Sequence, residues 1–345
     1  MTAQVKSLAV DIPVLDLAAA RNADGSFAPE FLAQLEDAAS RVGFFQITGF
    51  GAGCGQINEL FTQLEEFFAR PTDEKLLLDN RLNPHFRGYT RVGAELTKGR
   101  PDSREQIDYG PEQQPATEAE LQQQPSLLLQ GPNQWPTGQP ELKKAAMAWA
   151  QLMRKVGDEL LAALAVVLGQ DEGFFVKHFE GDANWMGKLV HYVGGIKSAG
   201  DQGVGEHKDY GFLTLLLQDQ IGGLQVLPEG ANEWIDVPPT KGALVVNLGE
   251  MLEVATDGFY QATVHRVIAP PAGVDRYSVP YFHSPRLTAV VDPVPLPPQL
   301  AEKARGVTQD PDNPLLANYG ANVLKGWLRA HPEVTAKYHA HLVEN

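Results

Sequence analysis

The chain has 345 residues, 43% of them apolar, enough for a buried core in one large domain or two ordinary ones. Its 28 basic and 43 acidic residues leave a net charge of −15, which repels nucleic acid and anionic lipid and excludes both as expected partners. The single cysteine, Cys54, excludes an intramolecular disulfide or a thiolate metal cluster and points to a reducing, cytoplasmic compartment.

At the N-terminus, MTAQVKSLAVDIPVLDL has no apolar core of signal-peptide type, and no later segment is apolar over a bilayer-spanning length. Residues 12–15 read as a short strand, FLAQLEDAASRV as an amphipathic helix and GFFQITGF as a second strand. INELFTQLEEFFA has helical spacing and stops before Pro71. Residues 80–140, rich in Pro, Gly, Gln and Asn, read as loop that could cover a site. From 142 to 168, apolar residues recur every three or four positions, predicting a long helix with one face on the core. From Lys188 onward, KLVHYV, FLTLLLQD, LQVLP, WIDVP, ALVVNL, QATVHRVIAP and RYSVPYFHSP are short strand-like runs broken by turns. So many strands require a closed or two-sheet antiparallel structure such as a jelly roll, because open edges aggregate. NVLKGWLRAHPEVTAKYHAHL returns to helix. The expected organisation is one α+β domain: 1–120 mixed α/β, 121–180 a helical brace, 181–290 the jelly-roll core, 291–345 a helical tail.

Within GEHKDYGFLTLLLQD, residues i and i+2 of a strand share a face, so His207 and Asp209 project together while Lys208 turns away, exposed. Imidazole plus carboxylate suits Fe(II), and one more histidine would complete a facial triad. H-x-D alone is weak, since short motifs recur by chance and a lone histidine is more often a core residue. QATVHRVIAPPAGVDRYSVPYF reads as a β-hairpin about PPAG, placing His265 opposite Ser278, with Arg276 on the same face. Taken singly, Arg276 reads equally as a surface ion pair, Ser278 as a strand hydroxyl and His265 as a core histidine. Their joint order, H-x-D, then His 265 − 209 = 56 residues on, then R-x-S beginning 276 − 265 = 11 residues later, changes that weighing.

With DIPVLDL, GFFQITGFG, FRGYTRVGAE, GPNQWP, HKDYGFLTLLLQD, GGLQVL, VVNLGEMLEVATDG, ATVHRV and RYSVPYFHSP in order along nearly the full length, the chain resembles the isopenicillin N synthase-like group of Fe(II)- and 2-oxoglutarate-dependent oxygenases. The resemblance implies a double-stranded β-helix with flanking helices. It implies Fe(II) held by His207, Asp209 and His265, with 2-oxoglutarate and O₂ in the open positions. Arg276 and Ser278 would take the distal carboxylate of 2-oxoglutarate, a planar, charged donor set for a planar anion. Tyr192 matches the family tyrosine beside the cosubstrate, although it also reads as a core aromatic, and Val190 stands where many plant members carry asparagine. Lys188 shares that face or is a solvated strand end. Arg87 and Tyr89 are candidate substrate contacts from the loop-rich region. The implied reaction oxidises, most simply hydroxylates, a small molecule with release of succinate and CO₂, without an obligate protein partner. Two alternatives stand beside it: an isopenicillin N synthase-like oxidase that does not use 2-oxoglutarate, and a non-catalytic jelly-roll binding protein.

Overall fold

The computed structural model describes residues 11–180, 184–195, 202–307 and 313–343, so the start of the N-terminal stretch read above lies outside the described residues. Among the described residues, fourteen strands run in chain order. They are β1 (Val14–Asp16), β2 (Phe44–Thr48), β3 (Gly88–Thr90), β4 (Leu96–Thr97), β5 (Arg100–Pro101), β6 (Arg104–Tyr109) and β7 (Trp185–Tyr192), followed by β8 (Gln202–His207), β9 (Leu213–Gln218), β10 (Leu224–Leu227), β11 (Ile235–Asp236), β12 (Leu244–Leu248), β13 (Val264–Ile268) and β14 (Arg276–His283). An eight-stranded sheet has the order β1-β2-β12-β9-β14-β7-β6-β3, a four-stranded sheet the order β11-β10-β13-β8, and β4-β5 form a small hairpin. Every strand pairing is antiparallel except β1 with β2.

The two faces of the large sheet explain why its central strands read as unbroken apolar runs. One face is covered by helices, chiefly Pro140–Val167, whose Trp149, Met153, Leu160 and Leu164 are buried in the larger core. The other faces the four-stranded sheet across a second core of Phe44, Val190, Tyr192, Val204, Leu224, Val226, Val245 and Val267. These two sheets are the jelly roll, and the site lies at one end of the space between them.

The long helix begins with Pro140 in its first turn, where a missing N–H costs nothing, and ends in a Schellman motif. Gly169 (φ 72°) donates its N–H to Val166 and Gln170 donates to Ala165, satisfying two end carbonyls. In mid-helix, a Cβ on Gly157 would lie 2.6 Å from the His283 ring of β14, so glycine sets how closely helix and sheet approach. Gly157→Ala is expected to destabilise the protein by about 1–2 kcal/mol in urea unfolding, because the overlap outweighs the ~1 kcal/mol gain in helix propensity.

Three expectations need correction. Residues 80–140 are not simply loop: β3 and β6 join the main sheet, and Glu118–Gln123 is a helix with a Thr117/Glu120 capping box. These strands escape pattern reading because their charged residues are buried in pairs, Glu105 with Lys75 and Asp108 with Lys188, which in sequence looks solvent-facing. Second, the run around PPAG is not a paired hairpin. β13 pairs with β8 and β10 in one sheet and β14 with β7 and β9 in the other, so the turn carries the chain across the jelly roll. Third, β8 ends at His207, so Asp209 is not a strand residue. Lys208 is half-buried and paired with Glu253 at 3.0 Å rather than turned to solvent. Among the described residues, no helix is long and apolar enough to cross a membrane.

Candidate active site

His207 closes β8, and its antiparallel register partner on β13 is His265, so a cross-strand pair places the two rings 4.2 Å apart. Each ring is set by the same device: Nδ1 meets the carbonyl two residues back, His207 that of Gly205 at 2.8 Å and His265 that of Thr263 at 3.0 Å. This turns both Nε2 atoms the other way. Asp209 arrives just past β8, with Oδ1 3.6 Å from His207 Nε2 and 3.8 Å from His265 Nε2. Among the described residues these three form the one group with metal-ligand spacing, their ligand atoms all within 4.8 Å of one another.

Electrostatics favour the ligand forms. Burial, with the neighbouring His207, pushes His265 down to about 4, so at neutral pH its Nε2 offers a lone pair. Burial pushes the Asp209 carboxyl up, but the two imidazoles, Asn247 and Thr214 outweigh that and hold it below its ordinary value. Two imidazole nitrogens and one carboxylate oxygen match the donor set of a non-haem Fe(II) centre. Asp209 Oδ2 accepts from Thr214 Oγ1 at 2.5 Å and Asn247 Nδ2 at 2.8 Å. These two residues escape sequence reasoning, although a signal exists: each is a lone polar residue inside an apolar strand, where burial demands a partner.

Arg276 opens β14 opposite Tyr192 of β7. It is 1% exposed, its guanidinium lies 4.7 Å from the Tyr192 ring centroid, and Nη2 donates to Gln218 Oε1 at 3.0 Å. Among the described residues, its Nε and Nη1, together with Gln218 Nε2, are buried donors without an acceptor, and no carboxylate lies within ion-pair distance. Ser278, also 1% exposed, is in register with Gln218 on one side and Val190 on the other. A cation and an amide short of acceptors, with a serine on the same rung as the amide, suit an oxygen-rich anion. Gln218, on the strand flanking Ser278, supplies an amide where Val190 cannot; nothing in the local sequence marks it out.

A cavity of about 1040 Å³ opens onto His207 and Asp209 and is bounded by the 85–104 region, β7 and the helix Tyr319–Ala330. The loop-rich region therefore does line a pocket. Lys188 reaches it, held between Glu95 at 3.1 Å and Asp108 at 2.7 Å and 4.9 Å from the Trp327 ring. Burial pushes Glu95 up, yet Arg104 and Lys188 together keep it strongly acidic. Arg87 also lines the cavity. It is 6% exposed, donates from Nη2 to the Leu129 carbonyl at 3.2 Å, and has no carboxylate within 4.0 Å among the described residues. Phe86 (φ 60°) and Gly88 (φ 110°) flank it in left-handed conformations, while Asn83 and Gln134 amides both donate to its carbonyl, at 2.8 and 2.7 Å. Such strain is retained where the surroundings over-determine it. Tyr89, by contrast, does not line the cavity: it is 2% exposed and its hydroxyl donates to Glu105 at 2.5 Å, so the expected substrate contact there is corrected. Arg276, Ser278 and Tyr192 do not line the cavity: Tyr192 belongs to the inter-sheet core, Arg276 lies over its ring, and Ser278 is in register with Val190 of the same core.

Two family profiles match the chain: non-haem dioxygenase in morphine synthesis N-terminal, over residues 12–138, and 2OG-Fe(II) oxygenase superfamily, over residues 187–285. The 2-oxoglutarate-Fe(II) type oxidoreductase hxnY of Emericella nidulans is 33% identical over 280 residues, 79% of this chain and 79% of the relative. Homoarginine-6-hydroxylase 2-ODD-C23.1 of Arabidopsis thaliana is 33% identical over 81% of this chain and 84% of the relative. Among solved structures, a full-length Neurospora crassa protein in complex with alpha-KG is similar at a TM-score of 0.72 and 26% identity, covering 91% of this chain and 95% of that one. A putative 2OG-Fe(II) oxygenase family protein from Caulobacter crescentus is similar at 0.70 and 25% identity, covering 91% and 97%.

Proposed function

The chain belongs to the 2OG-Fe(II) oxygenase superfamily, and from that premise we propose that His207, Asp209 and His265 hold its Fe(II) while Arg276, Ser278 and Gln218, with Tyr192 beneath the guanidinium, bind 2-oxoglutarate. The protein is an Fe(II)- and 2-oxoglutarate-dependent dioxygenase acting on a small molecule. The observation that carries the residue assignment is the pairing of a three-ligand cluster with a buried cation whose Nε and Nη1 have no acceptor among the described residues. When bound, the iron supplies the oxidising chemistry: substrate C–H, 2-oxoglutarate and O₂ become C–OH, succinate and CO₂. The chain's own part is to fix both imidazole tautomers through backbone carbonyls, anchor the distal carboxylate of 2-oxoglutarate, and seat the substrate in the large cavity.

The substrate we infer is an organic acid. Of the buried and half-buried cations on the cavity wall, Arg104, Lys188 and Lys208 are each neutralised by a carboxylate in direct contact, whereas Arg87 has none within 4.0 Å among the described residues and feels Asp108 and Glu112 only from farther off. A substrate carboxylate would satisfy it and also account for the strained backbone that presents it. Lys188, already doubly paired, is a wall residue with a spare N–H rather than an anion trap. The chain acts as one oxygenase unit, since strands from its N-terminal third lie in the same sheet as β7 and β14. The single cysteine fits a cytoplasmic setting, and no nucleic-acid or obligate protein partner is needed.

Purified protein loaded with Fe(II) should release succinate from 2-oxoglutarate under O₂ when a screen of small carboxylic acids reaches its substrate. O₂ consumption without succinate for every active compound would overturn this reading. With the acid identified, Arg87→Met is expected to lower kcat/KM for it by about 10–100-fold, the worth of one or two charge-assisted hydrogen bonds, and to leave the 2-oxoglutarate KM unchanged. The methyl ester of the substrate should lose as much on the wild-type protein.

A further inference from the structure

The Asp209 carboxylate has two unlike oxygens. Oδ1 faces the Nε2 atoms of His207 and His265 at 3.6 and 3.8 Å. Oδ2 faces the large sheet, where Thr214 Oγ1 and Asn247 Nδ2 donate to it at 2.5 and 2.8 Å. Thr214 on β9 and Asn247 on β12 are direct register partners, so their side chains rise from one rung of the antiparallel ladder. They are 5% and 3% exposed, their strand neighbours are leucine and valine, and these are the only side-chain hydrogen bonds they make among the described residues. A carboxylate oxygen accepts through two in-plane lone pairs. Two donors on Oδ2 leave it none for a metal.

We propose that Thr214 and Asn247 are positioning residues that restrict Asp209 to coordination through Oδ1 alone and so keep free the position that 2-oxoglutarate must occupy. This rests on the reading of His207, Asp209 and His265 as the iron site. Two imidazoles and one carboxylate oxygen would hold the metal and leave it room for a two-oxygen cosubstrate and O₂. A carboxylate free to add its second oxygen would fill part of that room. The protein cannot prevent this by sterics alone, because both oxygens lie on one rotatable planar group. Hydrogen bonds that occupy one of them can.

The test removes one donor at a time: Thr214→Val keeps the side-chain shape without the hydroxyl, Asn247→Ser leaves a hydroxyl too short to reach, and Thr214→Ser keeps the donor as a control. Iron-free protein is titrated anaerobically first with Fe(II) and then, metal-saturated, with 2-oxoglutarate, read from the visible absorption of the iron–cosubstrate complex. Thr214→Val and Asn247→Ser are each expected to raise the 2-oxoglutarate Kd by about tenfold or more. The Fe(II) Kd should move less, because the added oxygen ligand offsets the lost orientation, and Thr214→Ser should match wild type in both. Whichever donor-deleting variant melts like wild type carries the test. Unchanged 2-oxoglutarate affinity in the metal-saturated variant overturns the proposal. So does an equal fall in both affinities, which would make the pair ordinary supports of the ligand. The Fe(II) titration alone checks the underlying site: if wild type binds no Fe(II), or Asp209→Ala binds it undiminished, the iron-site reading fails before 2-oxoglutarate is added.

Discussion

Asp209→Ala is expected to fold and yet to lose both iron and turnover. The substitution removes the one anionic donor from a site whose other two donors are imidazole nitrogens, His265 pushed down to about 4 and each ring tied to a backbone carbonyl. Loss of an outer partner of a metal ligand costs about 10–100-fold in affinity or activity, so loss of the ligand itself should exceed that in both Fe(II) Kd and succinate formation. Stability moves much less. The cut leaves Thr214 and Asn247 as buried donors, a cost of about 1–3 kcal/mol, against the relief of a buried charge. Both effects are small beside the ~5–15 kcal/mol of a typical fold. The check is a paired measurement of melting temperature and anaerobic Fe(II) titration. Folded Asp209→Ala protein that still binds Fe(II) and forms succinate would show that the cluster is a satisfied core arrangement.

His207, Asp209 and His265 are legible in the sequence because ligand chemistry is local to the residue and their order along the chain is distinctive; no pairing needs to be right. The sequence route to His265 is nonetheless wrong. It runs through a hairpin with β14, whereas the residue reaches the site through its register with His207 on β8. Turn chemistry at PPAG indicates that the chain reverses, and it is silent on whether the next strand joins the same sheet or the one opposite. Side-chain alternation along β7 puts Lys188 and Tyr192 on the face opposite His191, which packs against Phe68 and Tyr277 and bonds Glu105. Alternation is a property of one strand and needs no partner. What stays hidden are groups whose meaning lies in a distant partner: Thr214 and Asn247 around Asp209, Gln218 beside Arg276, Glu253 against Lys208. Thr214 and Asn247 signal in sequence only that some partner exists, and Gln218 and Glu253 do not signal even that, until the neighbour from 5 to 58 positions away is known.

Arg276→Met separates cosubstrate binding from metal binding. In the wild-type protein the guanidinium is buried with one neutral acceptor and no anion among the described residues, an arrangement that is costly until a carboxylate arrives. Two charge-assisted hydrogen bonds at ~1.5–3 kcal/mol each place the expected rise in 2-oxoglutarate KM at about 100-fold or more. Arg276→Lys should fall between, because a point charge replaces a planar fork. Ser278→Ala removes one neutral hydroxyl and should cost only about tenfold. Fe(II) affinity in the absence of 2-oxoglutarate should be unchanged in all three, unlike Asp209→Ala. Thermal stability supplies an independent sign. Without 2-oxoglutarate, Arg276→Met should melt at or above the wild-type temperature, since it removes an unpaired buried charge. Saturating metal-loaded wild type with 2-oxoglutarate at about 100 times Kd should add ~2.7 kcal/mol of stability, and the same concentration should leave Arg276→Met almost where it was. A wild-type protein whose melting temperature ignores 2-oxoglutarate, or an Arg276→Met protein that shifts as far, would mean that the buried guanidinium serves the fold and that the cosubstrate anchor lies elsewhere.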